Sequence, residues 1–417
     1  MRRITDCRAL IGGTFLDCDL ILKDGRIDQI VPATRQKSHS VSYVFPGFID
    51  VHVHFREPGF SYKETIRTGS MAAARGGYTT VCAMPNLDPV PDSAEHLEEE
   101  LSIIRRDAVI RVLPYGSITV GEKGETLSDM QEISEHVAGF SDYGRGVQSE
   151  EMMKKAMEEA KRLGSLIAAH CEENDLLEGG YIHKGDYARA HAHRGISSRS
   201  EWQPIARDIE LNREIGCRYH VCHVSTKESV DVIRKGKKEG VDVTCETGPH
   251  YLLLDDSMIL EDGRFKMNPP IRAKEDREAL IAGLLDGTVD MIATDHAPHS
   301  REEKSRGLEK SLMGIVGIET AFPLLYTYLV KEGILTLEQL VGLMTERPAK
   351  RFGFESGIRE GALADLCIWD LDACYSIDPA DFLSKGTSTP FEGWRVYGKC
   401  KETILQGKTV YQEEKQA

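Results

Sequence analysis

Between residues 46 and 356 the chain alternates a short apolar run with a charge-rich amphipathic stretch, eight times over. The runs fall at 48–54, 79–84, 109–114, 138–142, 166–170, 219–224, 241–246 and 290–295. The stretches between them, for instance 150–163 and 276–285, space their apolar residues as a helix does. Eight strand–helix alternations in series predict an α/β fold, a (β/α)8 TIM barrel. A chain of 417 residues is long enough for one such barrel plus an addition.

The two ends resemble each other and not the middle. Residues 17–27, 364–371 and 403–411 alternate apolar and polar positions, the first and last of them carrying the turn pairs Asp24-Gly25 and Gly407-Lys408. Period-two alternation ended by such turns predicts short antiparallel strands. The expected organisation is a small discontinuous β-sandwich domain from 1–45 plus 357–417, around a catalytic barrel at 46–356.

A formal net charge of −15 leaves no basic patch to neutralise phosphates, so nucleic acid is not expected as a partner. The opening residues Met1-Arg2-Arg3-Ile4-Thr5-Asp6 lack the apolar core of a signal peptide, and no run reaches the ~18 apolar residues of a membrane span. Ten cysteines without a CxxC pair, several of them in strand-like runs (Cys82, Cys222, Cys245), suit a reducing compartment, where the thiol packs as a small hydrophobe. A cytoplasmic protein without disulfides and without a membrane partner is expected.

The imidazole and carboxylate groups fall at the ends of the runs. His52 and His54 close the first, His170 the fifth, His223 the sixth and Asp295 the eighth. A strand period of two puts His52 and His54 on one face. Barrels of this kind build their active site at the carboxyl ends of the strands, so these groups converge on one mouth. Their nitrogen and oxygen donors suit zinc or a similar divalent ion. His191 and His193 repeat the spacing, but in a polar stretch that predicts a loop or helix surface. His250 follows the seventh run and is expected to be structural. Cys171 and Cys222 adjoin site histidines as packing residues.

Two segments carry a resemblance. Pro46-Gly47-Phe48-Ile49-Asp50-Val51-His52-Val53-His54-Phe55-Arg56-Glu57-Pro58-Gly59 and Ala293-Thr294-Asp295-His296-Ala297-Pro298-His299 resemble the two signatures of the dihydroorotase family in the amidohydrolase superfamily. Met84-Pro85-Asn86, Asn268-Pro269-Pro270 and 387–394 fit the same family, so the likeness spans nearly the whole chain. It implies the reversible cyclisation of N-carbamoyl-L-aspartate to L-dihydroorotate in pyrimidine synthesis. It also implies that His52, His54 and Asp295 bind one zinc ion, and His170 and His223 a second. Asp295 would be the general base and then the acid for a metal-activated water. Arg56, on the strand face of His54, would clamp the substrate carboxylate. Asn86, Asn268 and His299, with backbone groups of Met313 and Gly314, would complete the substrate contacts, and 300–317 is a candidate lid. A homodimer is the family's habit.

The fourth run departs from the pattern. Relatives place a bridging ligand there, a carboxylated lysine in some branches and an aspartate in others. Residues 139–146 contain no lysine, and where the aspartate branch often shows two adjacent acids this chain has Asp142 followed by Tyr143. The expectation is that Asp142 turns into the bridge and completes a two-zinc centre. With Tyr143 facing the site instead, one metal is weakened or the phenol becomes an unusual ligand. Two other functions stay open at this level. One is a different cyclic amidohydrolase, an allantoinase or hydantoinase, whose substrate needs no cation at position 56. The other is a non-catalytic scaffold for aspartate transcarbamoylase.

Overall fold

The computed structural model describes residues 1–33 and 42–414; the parts of the expected terminal domain at 34–41 and 415–417 lie outside the described residues. The barrel strands are Phe48–Val53, Tyr78–Ala83, Arg111–Pro114, Leu166–Ala169, Arg218–Val221, Val243–Thr247 and Met291–Ile292. The fourth position, between the third and fourth of these, is a single residue, Phe140, which makes parallel bridges to Gly116 and Ile167. Every pairing around the ring is parallel, and a bridge from His296 to Val53 closes it. All eight runs thus occupy their expected places, with the fourth stripped of its ladder.

The connecting helices form where the spacing predicts them. In Glu150–Leu163 the inward residues are Met153, Ala156, Met157 and Ala160, one stripe at helical period. The Ser149 hydroxyl accepts from the Met152 N–H at its start, and Gly164 ends it in the left-handed conformation.

The terminal segments build one continuous seven-stranded sheet. Its spatial order is Lys408–Gln412, Arg395–Leu405, Leu366–Ser376, Ser42–Pro46, Arg2–Ile11, Thr14–Lys23, Arg26–Pro32. Successive residues of the 366–376 strand face opposite ways. Leu366 and Ile368 join Ile4, Leu20, Ile27 and Val44 in a cluster inside the sheet layer, while Cys367 and Trp369 join the barrel core. The Trp369 ring lies 5.8 Å from Phe48 and 4.4 Å from Phe322. Gly77, at φ +87, admits this contact, since a Cβ there would stand 2.9 Å from the indole. All ten cysteines are free and nine are buried. Among the described residues no helix is long and apolar enough to cross a membrane.

Candidate metal centre

His52, His54 and Asp295 meet at the carboxyl end of the barrel, all buried. Asp295 Oδ1 lies 3.2 Å from His54 Nε2 and 3.4 Å from His52 Nε2. Four-coordinate zinc with bonds of about 2.0–2.1 Å places neighbouring donor atoms about 3.3–3.4 Å apart, so these separations, which also serve a His54–Asp295 hydrogen bond, fit an ion held by the three residues. His52 Nε2 has no hydrogen-bond partner although it is buried, as a nitrogen awaiting an ion would be.

The electrostatics agree. Burial holds the His54 imidazole down at about 4, which keeps it the neutral donor a metal requires. Burial alone would raise the Asp295 carboxyl, but His52 and His54 hold it well below the usual carboxylate range. Burial also opposes charge on His52, yet Glu246 and Asp295 outweigh it and raise its pKa. The pocket therefore favours a positive charge at its centre, a proton or a metal ion.

Arg56, His223 and Asp295 have φ of 61°, 34° and 47°. Left-handed backbone costs a non-glycine residue of order 1–3 kcal/mol, and such strain concentrates at functional sites. Asp50 fixes one of these bends: its carboxylate accepts from the Thr294 N–H and hydroxyl and from the His52 N–H. It thereby ties the first strand to the eighth beside both metal-type residues.

His170 and His223 stand next to this trio and are bonded to each other, His170 Nδ1 to His223 Nε2 at 2.9 Å. His52 and His223 meet directly, ring centroids 5.1 Å apart, and the Tyr143 ring packs beside that contact against both groups. Its centroid is 4.4 Å from that of His54, 4.8 Å from His52, 4.9 Å from His170 and 5.7 Å from His223. The Tyr143 hydroxyl donates to Asp295 Oδ1 at 3.2 Å. Asp142 does not turn into the site as expected. One of its oxygens accepts from the N–H groups of Ile118 and Thr119, the other from the Thr119 hydroxyl. The reason lies in the donors: a buried carboxylate goes where backbone N–H groups converge, here at Ile118 and Thr119, and the neighbouring Tyr143 side chain faces the centre instead.

Arg56 is buried, its Nε donates to Pro298 O at 3.2 Å, and it has no ion-pair partner among the described residues. The His299 ring donates through Nε2 to Met313 O at 2.8 Å, and burial, with Arg56 and Lys63 adding to it, lowers its pKa to about 3. Gly314, at φ +138, packs against the same histidine; a Cβ there would lie 3.0 Å from its ring and 2.6 Å from Ala297 O. Asn86 Oδ1 accepts from His54 Nδ1 at 2.9 Å, so this side chain orients a metal-type histidine. Asn268 Nδ2 donates to Glu172 at 2.9 Å, and Glu172 is in turn 3.5 Å from His170 Nε2.

Glu246 escaped the sequence reading. Its carboxylate binds His52 Nδ1 on one side and His220 Nε2, at 3.0 Å, on the other. A lone glutamate at a strand end gives no spacing signal; only its position closing the seventh run pointed to the mouth. His250 is also buried, with Nε2 unpartnered, and burial lowers it to about 4. Cys222 lies within 4.8 Å of the His52 and Glu246 donor atoms, but burial pushes its thiol far up, so it packs as a neutral group. His191 and His193 lie away from this centre, in a stack with Tyr187.

Barrel, terminal sheet and histidine–aspartate centre define an amidohydrolase, a metal-dependent cyclic amide hydrolase. The family model "Amidohydrolase family" matches residues 221–411, and the model "Dihydro-orotase-like" matches 42–229. The chain is 51% identical over 410 residues to a dihydroorotase of Bacillus cytotoxicus, covering 96% of each chain. It is 54% identical over 403 residues to one of Shouchella clausii, covering 95% of this chain and 94% of that one. The chain belongs to the dihydroorotase family. Among solved structures it is similar to the L-hydantoinase (dihydropyrimidinase) of Arthrobacter aurescens, with a TM-score of 0.87 at 27% identity, covering 99% of this chain and 96% of that one.

Proposed function

We propose that this protein interconverts L-dihydroorotate and N-carbamoyl-L-aspartate, the ring-closing step of pyrimidine (UMP) synthesis, with zinc as its metal. The observation that carries the substrate is Arg56. A buried guanidinium with carboxylates near it but none in ion-pair contact is costly unless a ligand supplies that contact, and a carboxylate beside the scissile ring would do so. Neither hydantoin nor allantoin offers that group.

Bound by His52, His54 and Asp295, a divalent ion would lower the pKa of water toward neutrality and polarise the amide carbonyl. Asp295, ionised in this setting, takes the water proton and returns it to the leaving nitrogen. Arg56 holds the substrate carboxylate. Asn268, His299 and the backbone at Met313 and Gly314 orient the ring, and Asn86 contributes by fixing His54. Cytoplasmic residence, a homodimer and association with aspartate transcarbamoylase belong to the same proposal. So does the division into a terminal β-domain (1–45 plus 357–417) and a catalytic barrel (46–356).

The test is turnover of dihydroorotate, carbamoyl aspartate, hydantoin and allantoin side by side by the zinc-loaded protein. Dihydroorotate and carbamoyl aspartate are expected to dominate. Preference for hydantoin or allantoin would transfer the protein to that chemistry, and bound metal without turnover would favour the scaffold. Arg56→Met removes a charge-assisted pair of about 1.5–3 kcal/mol, so KM for dihydroorotate should rise about ten- to a hundredfold. An unchanged KM would remove the carboxylate clamp.

A further inference from the structure

We infer that Tyr143 makes this a one-metal centre: its ring packs against both the trio of His52, His54 and Asp295 and the pair of His170 and His223, so that the second histidine pair holds no ion. The inference rests on the metal-centre reading above and sharpens it.

Three observations carry it. The trio and the pair differ in geometry. Asp295 Oδ1 stands 3.4 Å from His52 Nε2, which has no hydrogen-bond partner, and 3.2 Å from His54 Nε2, a hydrogen-bonding distance that also fits the edge of a zinc tetrahedron, about 3.3–3.4 Å. His170 Nδ1 and His223 Nε2 stand at 2.9 Å, a hydrogen-bond length. In such a bond one nitrogen carries a proton and the other spends its lone pair on it, so neither of these two facing nitrogens is free for a metal. The outward His223 Nδ1 is buried and unpartnered, a single donor where a bound ion needs several. His170 Nε2 is in turn 3.5 Å from Glu172.

The second observation is steric. The Tyr143 ring touches all four imidazoles at centroid distances of 4.4–5.7 Å, the range of packed aromatic rings. A shared ligand joining two ions would have to compete with this ring for the space beside His54 and His170, while His52 and His223 already pack directly on each other at 5.1 Å.

The third concerns donors. The only side chain from the fourth barrel position that could supply a bridging carboxylate is Asp142, and both of its oxygens are already held by Ile118 and Thr119. Tyr143 offers one hydroxyl, committed to Asp295. Its side of the centre therefore has no anionic oxygen to spare for a second ion.

The experiment is metal stoichiometry. Apoprotein is equilibrated with excess Zn2+, freed of unbound metal by gel filtration, and its zinc per chain measured by mass spectrometry. One ion per chain is expected in the wild type and in Tyr143→Phe, where the ring remains. Tyr143→Asp, which removes the ring and supplies a carboxylate, should take up two. His170→Ala should leave the wild-type count at one, but return the Tyr143→Asp variant from two to one.

Two ions in the wild type would overturn the inference, as would a fall in metal content on His170→Ala in the wild-type background. The latter variant removes no ligand of the trio, so it tests the idea even if Tyr143→Asp does not fold, which circular dichroism reports. A wild type that binds no zinc would overturn the underlying metal-centre reading as well, and so is distinguishable from either result. Co2+ in place of Zn2+ gives a second readout: one set of visible d–d bands, saturating at one equivalent.

Discussion

His52 presents Nε2 to the centre because Glu246 claims Nδ1. The two ring nitrogens of a histidine are not equivalent, and the one that binds metal is chosen by the hydrogen bond the other makes. Glu246 is itself fixed through His220, whose Nδ1 meets the Thr244 hydroxyl at 2.8 Å. Loss of such an orienting carboxylate typically costs 10–100-fold in metal affinity, so Glu246→Gln should weaken zinc binding by about that factor. Competition with a chelator of known affinity measures it, and unchanged affinity would show that His52 needs no orientation. His52, His54, His170, His223 and Asp295 were legible in the sequence because each closes an apolar run, and strand ends converge in a barrel. Glu246 was not, since its role exists only once the first and seventh strands face each other. The choice between Asp142 and Tyr143 was equally closed to sequence reasoning. Alternation says that neighbours point apart, but which of them points inward depends on donors 24 and 23 residues upstream, at Ile118 and Thr119.

At the scale of elements, the fourth barrel position holds its place with almost no ladder. Phe140 makes the bridges, and two residues later the Asp142 carboxylate clasps the turn at 118–119 that follows the third strand. Asp142 thus replaces missing strand pairing with side-chain-to-backbone bonds. Asp142→Ala leaves two buried N–H groups unsatisfied, each worth about 1–3 kcal/mol, and should lower stability to urea by at least that much. Zinc content should stay the same. Loss of metal without loss of stability would assign Asp142 to the metal centre after all. The eight apolar runs showed where the strands lie, but the strength of each ladder was invisible, because pairing depends on neighbours distant in sequence. The 300–317 stretch behaves likewise. Its charge and glycines mark a candidate lid, and its packing, with the buried Lys304 ammonium donating to Lys266 O and Leu312 O, depends on partners distant in sequence.

For the whole molecule, the decisive contact is the one between the terminal sheet and the barrel. The alternation at 364–371 predicts a short strand, but neither its two buried faces nor the order of the sheet. Residues 42–46 run parallel to 7–9 and antiparallel to 366–369, a pairing that brings the two ends of the chain together and follows from no local signal. The consequence is energetic. Trp369, 1% exposed, belongs to the sheet by its backbone and to the barrel by its side chain, where it packs on Phe48, the first residue of the strand that carries His52. Removing a buried aromatic of this size costs about 3–5 kcal/mol, so Trp369→Ala should lower the urea midpoint substantially. Because the lost contacts join both layers, the variant should still unfold in one transition, with far-UV circular dichroism and zinc release following the same curve. A sheet that melted separately, before the metal was released, would mean that the two layers are independently stable and that the shared core does not couple them.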